Sequence, residues 1–310
     1  MRNLLIAIVL TSLFTSGIQA ADPKRPDSRL QRGQLFFDDF SYSSHPKMAK
    51  NGWIIRTEAG WPGIPGALWG KESISFVQDR ALRGNRFLRM TAVTTGDGAR
   101  TRQAQICHER KYREGTYAAR VRFTDAPVAG PTGDQVVETF YMISPQKAPM
   151  DLDYSEIDFE YLPNGGWGHP ATTLFATTWE TFQLEPWKAD NDSKHVTRSR
   201  DGWHTLVTQV GERKVKYFVD GELFAEHEGR VYPESFMSIN FNLWFIRGGL
   251  LKSEELRRYE EDIDWVFFDV VPSVSPADVE ARVKAMRRSA VKFKDTVRPQ
   301  SPPLVSPCNF

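Results

Sequence analysis

The sequence predicts an all-β domain over residues 33–272, and three observations lead there. Short runs rich in aromatic and β-branched residues recur along this stretch, bounded by Gly, Pro, Asn and Asp. An Asp-Gly pair sits between two such runs in VDGEL, 219–223, the strongest short-range hairpin signal. Helical periodicity is confined to two places, KSEELRRYEEDI at 252–263 and SPADVEARVKAMRRSAV at 275–291.

The elements follow in order. QLFFDDF, 34–40, is a short aromatic strand, and NGWIIRTE holds a strand around 53–57. GWPGIPGALWG, 60–70, carries four Gly and two Pro; it is a long loop bearing Trp61 and Trp69. NRFLRMTAV (85–93) and EGTYAARVRF (114–123) alternate as half-buried strands do, whereas QVVETFYMIS (135–144) is nearly continuous apolar. TLFATTW (173–179), WHTLVTQV (203–210), KVKYFVDGELF (214–224), MSINFNLWF (237–245) and DWVFFDVV (264–271) complete the set. So many antiparallel strands must stack as two sheets or close as a barrel, and periodicity alone does not choose.

Outside this core, 1–20 reads as a signal peptide: a basic start, an apolar run too short to anchor a membrane, and small residues near Ala20 and Ala21. The mature protein is then secreted or periplasmic, after a flexible lead-in at 21–32. Beyond 272, Ser275 caps a short helix with Pro276 in its first turn and apolar residues at 279, 283, 286 and 290. Residues 276–310 hold seven Lys or Arg against three Asp or Glu, which suits docking on the outer sheet or meeting an anionic partner. The Pro-rich end, 298–310, reads as disordered.

Formal net charge is +1, and no basic run interleaves with aromatics, so nucleic acid is not an expected partner. Six His without metal-ligand spacing and two Cys exclude a zinc cluster. Cys107 and Cys308 either bridge, tying the tail to the domain, or stay free thiols. There is no phosphate loop and no G-x-S-x-G elbow.

SEIDFEYL, 155–162, stands apart. Side chains alternate along a strand, so Glu156, Asp158 and Glu160 share one face and Ile157, Phe159 and Tyr161 the other. Like charges repel, and no Lys or Arg is interleaved to neutralise them. Asp151 and Asp153 lie just upstream, but a calcium loop wants turn geometry and backbone carbonyls. Glycosidic cleavage fits better, since it needs one carboxylate and one carboxylic acid. The middle Asp would orient one Glu, or raise its neighbour's pKa by its own charge. Distance argues against the pairing: i and i+4 Cα atoms lie about 13 Å apart in a strand. Retention wants carboxyl groups about 5–5.5 Å apart, so side-chain lean and strand curvature must close the gap.

E-I-D-F-E, 156–160, resembles the E-x-D-x-E signature of glycoside hydrolase family 16. The resemblance runs on through FFDDFS, YREGTYAARVRF, VVETFYMISP, DGWHTLVTQVGERKVKYFVDGELF, INFNLWFIRGG and IDWVFFDVV, in the family's order. It implies a β-jelly-roll sandwich of two antiparallel sheets, concanavalin A-like, with a long cleft across one sheet. It also implies an endo-acting retaining β-glycanase, a monomer needing no cofactor, with structural calcium allowed and a polysaccharide as substrate. On that pattern Glu156 is the nucleophile, Asp158 the assisting residue and Glu160 the general acid/base. The motif has no extra residue between Asp158 and Glu160, as in lichenase-like and xyloglucan-transglycosylase-like members. That favours a β-1,3-1,4- or β-1,4-linked glucan.

Sugar faces need flat apolar platforms, and hydroxyls need polar partners. Asn242 and Trp244 match the family's Asn-Leu-Trp element, Trp179 ends the strand expected beside the acidic one, and Trp167 follows it on a Gly-rich loop. Trp61 and Trp69 are candidates for a distal subsite. Gln105 and Cys107 stand where the bacterial lichenase pattern has a Glu and an Arg, which changes one subsite's polarity. Two rival readings keep the fold: a non-catalytic glycan-binding protein and a calcium-stabilised structural domain. A transglycosylase is the near variant of the hydrolase.

Overall fold

A computed structural model describes residues 33–305 and 308, apart from residue 83. The expected signal peptide and lead-in lie outside the described residues. Strands β1 (Leu35–Asp38), β2 (Ile54–Ile55), β3 (Leu68–Trp69), β4 (Ile74–Gln78), β5 (Arg86–Thr94), β6 (Arg102–Cys107), β7 (Gly115–Phe123), β8 (Val136–Ile143) and β9 (Glu156–Leu162) form the first half. β10 (Thr173–Gln183), β11 (Lys188–Thr197), β12 (Gly202–Gly211), β13 (Lys214–Val219), β14 (Glu222–Glu228), β15 (Ser238–Phe245), β16 (Arg257–Asp269) and β17 (Phe293–Asp295) follow. Two α-helices accompany them, α1 (His45–Ala49) and α2 (Pro276–Arg288).

Pairing resolves the choice between sandwich and barrel. A front sheet runs β2–β6–β15–β8–β9–β10–β11, antiparallel throughout. A back sheet runs β4–β5–β16–β7–β12–β13–β14, with β1 and then β17 against the second half of β16. The short parallel β3 and a single bridge from β5 join the sheets at β6. This is a jelly-roll-like sandwich. Its core holds the inward faces of both sheets, among them Phe140, Ile157, Phe159, Tyr161, Phe241 and Phe268. Each such side chain contributes about 1.5–3 kcal/mol by leaving water.

The helix α2 covers the outer face of the back sheet. Val279 and Val283 pack on Phe37, Ala118, Val207, Trp265 and Phe267. Ser275 Oγ accepts from Asp278 N at 3.1 Å, the cap that the sequence predicts. Arg287 forks onto Asp264 at 2.7 and 3.0 Å. Two of the tail helix's basic residues, Arg282 and Arg287, thus pair with acids of the back sheet, Asp269 and Asp264.

Two expectations are corrected. Residues 252–263 do not form a helix: 257–263 begin β16, whose alternate residues Tyr259, Glu261 and Ile263 turn to the core. The charges at 254, 258, 261 and 262 recur at helical spacing, but β5 and β7 flank this segment and pairing decides it. The Pro-rich end is not a loose tail over its described part. Leu304 bridges Arg110, and Cys308 is bonded to Cys107, closing the alternative of two free thiols.

The same register buries two acids between the sheets. Glu138 and Glu261 are both fully buried, and burial raises both pKa values well above the carboxylate range. Glu138 takes Thr124 N and Oγ1 at 3.1 and 3.0 Å, while neither Glu261 oxygen has a hydrogen-bond donor in bonding geometry among the described residues. The folded state therefore keeps protons that the unfolded chain releases above about pH 4.5, and stability falls as pH rises from there. Glu261→Gln is expected to add about 1–3 kcal/mol at pH 8 and almost nothing at pH 4. Urea midpoints of both proteins at the two pH values check this.

Candidate active site

The acidic strand lies in the middle of the front sheet, and its register with both neighbours is unbroken. Glu156 sits between Ile143 and Trp179, Asp158 between Tyr141 and Thr177, and Glu160 between Thr139 and Phe175. No cross-strand neighbour is cationic. Ile157, Phe159 and Tyr161 point into the core, so the hydrophobic face fixes the strand and forces all three acids outward together. They open into one cavity of about 540 Å³.

Different surroundings divide these like groups. Tyr154 Oη donates a hydrogen bond to Glu156 Oε2. Trp179 Nε1 donates to Asp158 Oδ2 at 2.6 Å. The other Asp158 oxygen is buried and takes no donor, so a proton held there is available to Glu156. Burial, then the charges of Glu156 and Glu160, drive the Asp158 pKa well up, which keeps that proton in place. Burial raises Glu156 to about 7, against the pull of its bonds from Tyr154 and Asp158. Burial and the Glu156 charge raise Glu160 to about 8, with no hydrogen bond opposing them. Burial thus raises both, but only Glu156 has hydrogen bonds that favour its carboxylate, while burial and a neighbouring charge favour the acid at Glu160. Of the two jobs considered for Asp158, orientation by hydrogen bonding fits. A neutral Asp158 lends its neighbours no charge.

Four of the five expected substrate-binding residues line the cavity: Asn242, Trp244, Trp179 and Trp167. Asn242 Oδ1 accepts from Thr139 Oγ1 at 2.5 Å, and its Nδ2 donates to Tyr141 Oη at 3.3 Å. Trp167, 45% exposed, stands at 6.3 Å from Trp244, ring centre to ring centre, with Trp61 on the other side at 6.2 Å. The fifth, Gln105, is a correction. It is 1% exposed, accepts from Arg56 Nη1 at 2.9 Å and donates to Tyr141 Oη at 2.9 Å. It braces the floor from beneath a loop and meets no solvent. Trp69 is likewise buried, under the Arg56 guanidinium at 4.0 Å.

The sequence reading missed Tyr154, Tyr141, Phe182, Trp187, Asn191 and Ser193, all on the cavity wall. Counting back two residues from Glu156 would have found Tyr154. Trp187 had no signal, because it reaches the cavity on the turn between β10 and β11.

A set of residues able to hold an ion is His108, Glu109 and Asp295. His108 already meets Asn51 O and Tyr112 Oη, and the Lys111 ammonium sits between Glu109 and Asp295 at 2.7 and 2.6 Å. Calcium does not fit a site that a lysine already fills. No helix among the described residues is long and apolar enough to cross a membrane.

The sequence profile described as glycosyl hydrolases family 16 matches residues 67–266. The chain belongs to this family. Solved structures of similar fold include a β-glucanase from Bacillus licheniformis, 16% identical, covering 77% of this chain and 99% of that one at a TM-score of 0.55. A family 16 endo-glucanase from Bacteroides ovatus is 16% identical, over 75% and 99% of the two chains at 0.57. A laminarinase from Flavobacterium sp. UMI-01 is 16% identical, over 76% and 99% at 0.53. No curated protein matches the sequence. In this family 16 chain Glu156 and Glu160 lie on a strand whose pairing with both neighbours has no bulge.

Proposed function

We propose that this family 16 protein is an exported retaining β-glycanase that cuts internal bonds of a β-glucan-type polysaccharide by double displacement. The observation that supports it most is the split between Glu156, bonded by two donors, and Glu160, which has burial and a neighbouring charge to hold its proton. Glu160 protonates the leaving oxygen while Glu156 attacks the anomeric carbon. Glu160, now a base, then takes a proton from water, which displaces Glu156 and restores both groups. Asp158 keeps Glu156 oriented and hands it a hydrogen bond. Trp244, Trp167 and Trp179 offer flat faces to pyranose rings. Similar folds carry the names β-glucanase, endo-glucanase and laminarinase, which supports a glucan.

Mixed-linkage β-1,3-1,4-glucan, laminarin, xyloglucan, agarose and carrageenan are the panel that tests it. Cutting of a glucan is expected, and the first-formed sugar should keep the β-configuration by NMR. No cutting of any polymer sinks the reading.

Rate should follow a bell in pH, with the acid limb set by Glu156 losing its proton near 7 and the basic limb by Glu160 losing its own near 8. Tyr154→Phe removes a donor that favours the Glu156 carboxylate, so its pKa rises. The acid limb is expected to move up by about one pH unit while the basic limb stays. An unmoved acid limb would show that Tyr154 does not tune Glu156.

A further inference from the structure

Under the cavity floor runs a chain of polar groups whose donor and acceptor roles are fixed from one end. That end is Arg56, fully buried just past β2, with its guanidinium over the Trp69 ring. Nε donates to Glu58 O and Nη2 to Trp61 O, both at 2.9 Å, so two loop carbonyls hold it in place. Nη1 donates to Gln105 Oε1 at 2.9 Å. Burial lowers the Arg56 pKa to about 10, which still leaves it charged at neutral pH. A guanidinium has donors only, so the Gln105 carbonyl must face it and the Gln105 NH₂ must face away.

Gln105 Nε2 then donates to Tyr141 Oη at 2.9 Å and to Cys107 Sγ at 3.4 Å, which uses both of its protons. Asn242 Nδ2 adds a longer bond to the same phenol oxygen at 3.3 Å. Thr139 Oγ1, which accepts from Asn242 N at 3.1 Å and donates to Asn242 Oδ1, turns that amide the same way. Tyr141 Oη thus accepts twice, and its own proton has no acceptor in bonding geometry among the described residues. Tyr141 lines the cavity and stands beside Asp158 across the β8–β9 pair. Burial, then the Glu156 charge, raise its pKa well above the ordinary phenol value, so the proton stays on.

We propose that Gln105, locked by Arg56, is a positioning residue that aims the Tyr141 hydroxyl into the groove, where it donates to a hydroxyl oxygen of the sugar seated beside the acids. The proposal rests on the β-glycanase reading and adds a specificity contact to it. The polarity of residue 105 is what matters. A carboxylate there would accept from Arg56 with one oxygen and from Tyr141 with the other, drawing the phenol proton down into the floor.

The test compares kcat/KM of the full chain and its variants on a glucan that the panel shows to be cut. Tyr141→Phe should lose roughly 10–100-fold. Gln105→Glu is close in size and keeps the Arg56 contact, and it should lose about as much although Tyr141 is intact. The double variant should be no worse than either single one, because both changes remove the same contact. Both pH limbs should stay in place in Tyr141→Phe, since Tyr141 donates no hydrogen bond to Glu156 or Glu160. A wild-type rate in either single variant overturns the proposal. So do additive losses in the double variant, which would mean that Gln105 acts apart from Tyr141. So does an acid limb moved by Tyr141→Phe, which would mean that the proton serves Glu156. Tyr141→Phe removes one oxygen and keeps the ring, so it tests the donor even if Gln105→Glu fails to fold. If wild type cuts no polymer, the β-glycanase reading fails and this one fails with it; wild-type cutting with unimpaired variants sinks this one alone.

Discussion

Glu156→Ala is expected to lower turnover by roughly 10⁴–10⁶-fold, because it removes the carboxylate proposed to attack the anomeric carbon. Loss alone would not show the role, since the Glu156 charge also raises the pKa of Glu160. Small anions separate the two. In Glu156→Ala the cavity left by the side chain admits azide, which attacks from the vacated face and gives an inverted α-glycosyl azide. In Glu160→Ala a glycosyl-enzyme can still form on a substrate with a good leaving group. Azide then displaces Glu156 and gives the β-product. Glu160→Ala should lose about 10²–10⁴-fold on a polymer, much less on an aryl glycoside, together with its basic pH limb. Product configuration by NMR reads the result. An α-azide from Glu160→Ala, or a β-azide from Glu156→Ala, would reverse the two assignments.

The largest effect on stability is expected at Asp134 and Arg257. Both are fully buried. Arg257 Nε and Nη2 fork onto the carboxylate at 3.0 and 2.9 Å, and the remaining donors reach the carbonyls of Ser253, Glu255 and Leu251. Leu251 N returns a bond to Asp134 Oδ1 at 2.8 Å. One ion pair thus ties the turn before β16 to the start of β8. Asp134→Ala leaves a guanidinium buried without its counter-charge and should cost about 3–5 kcal/mol. For a domain of this size that is a fall of roughly 6–20 °C in Tm. Replacing both partners, as in Asp134→Leu with Arg257→Met, should restore much of the loss, because the desolvation cost leaves with the charges. Calorimetric melts of the single and double variants decide it. A double variant no better than the single would mean that the carbonyl contacts of Arg257, rather than its charge, hold the turn.

How far the site could be read from the sequence depended on distance along the chain. Glu156, Asp158 and Glu160 sit on one strand, where a period of two is enough to put them on one face. Trp244 and Asn242 were legible through the same alternation plus a familiar order of segments. Trp187, Asn191 and Ser193 were not. The strand β11, KADNDSKHVT, is polar on both faces because it is an edge strand with solvent beside it, so it shows no apolar alternation to find. Gln105 was placed on the correct face and assigned the wrong exposure, because the loop that roofs it lies some forty residues earlier. The segment 252–263 failed for a related reason: its charges repeat at intervals that suit a helix as well as a strand, and only neighbours on both sides choose.

By itself the sequence determined the all-β class, the two-faced acidic strand and the capped helix after the core, since each follows from side chains a few residues apart. Tertiary structure decided which acid is bonded, which is pushed toward its protonated form, and what covers the floor. Those properties depend on burial and on partners from distant strands: Tyr154 and Trp179 at the acids, Trp61 and Cys308 over the floor. A charge pattern is local, but the medium around a charge is set by whatever the fold brings against it.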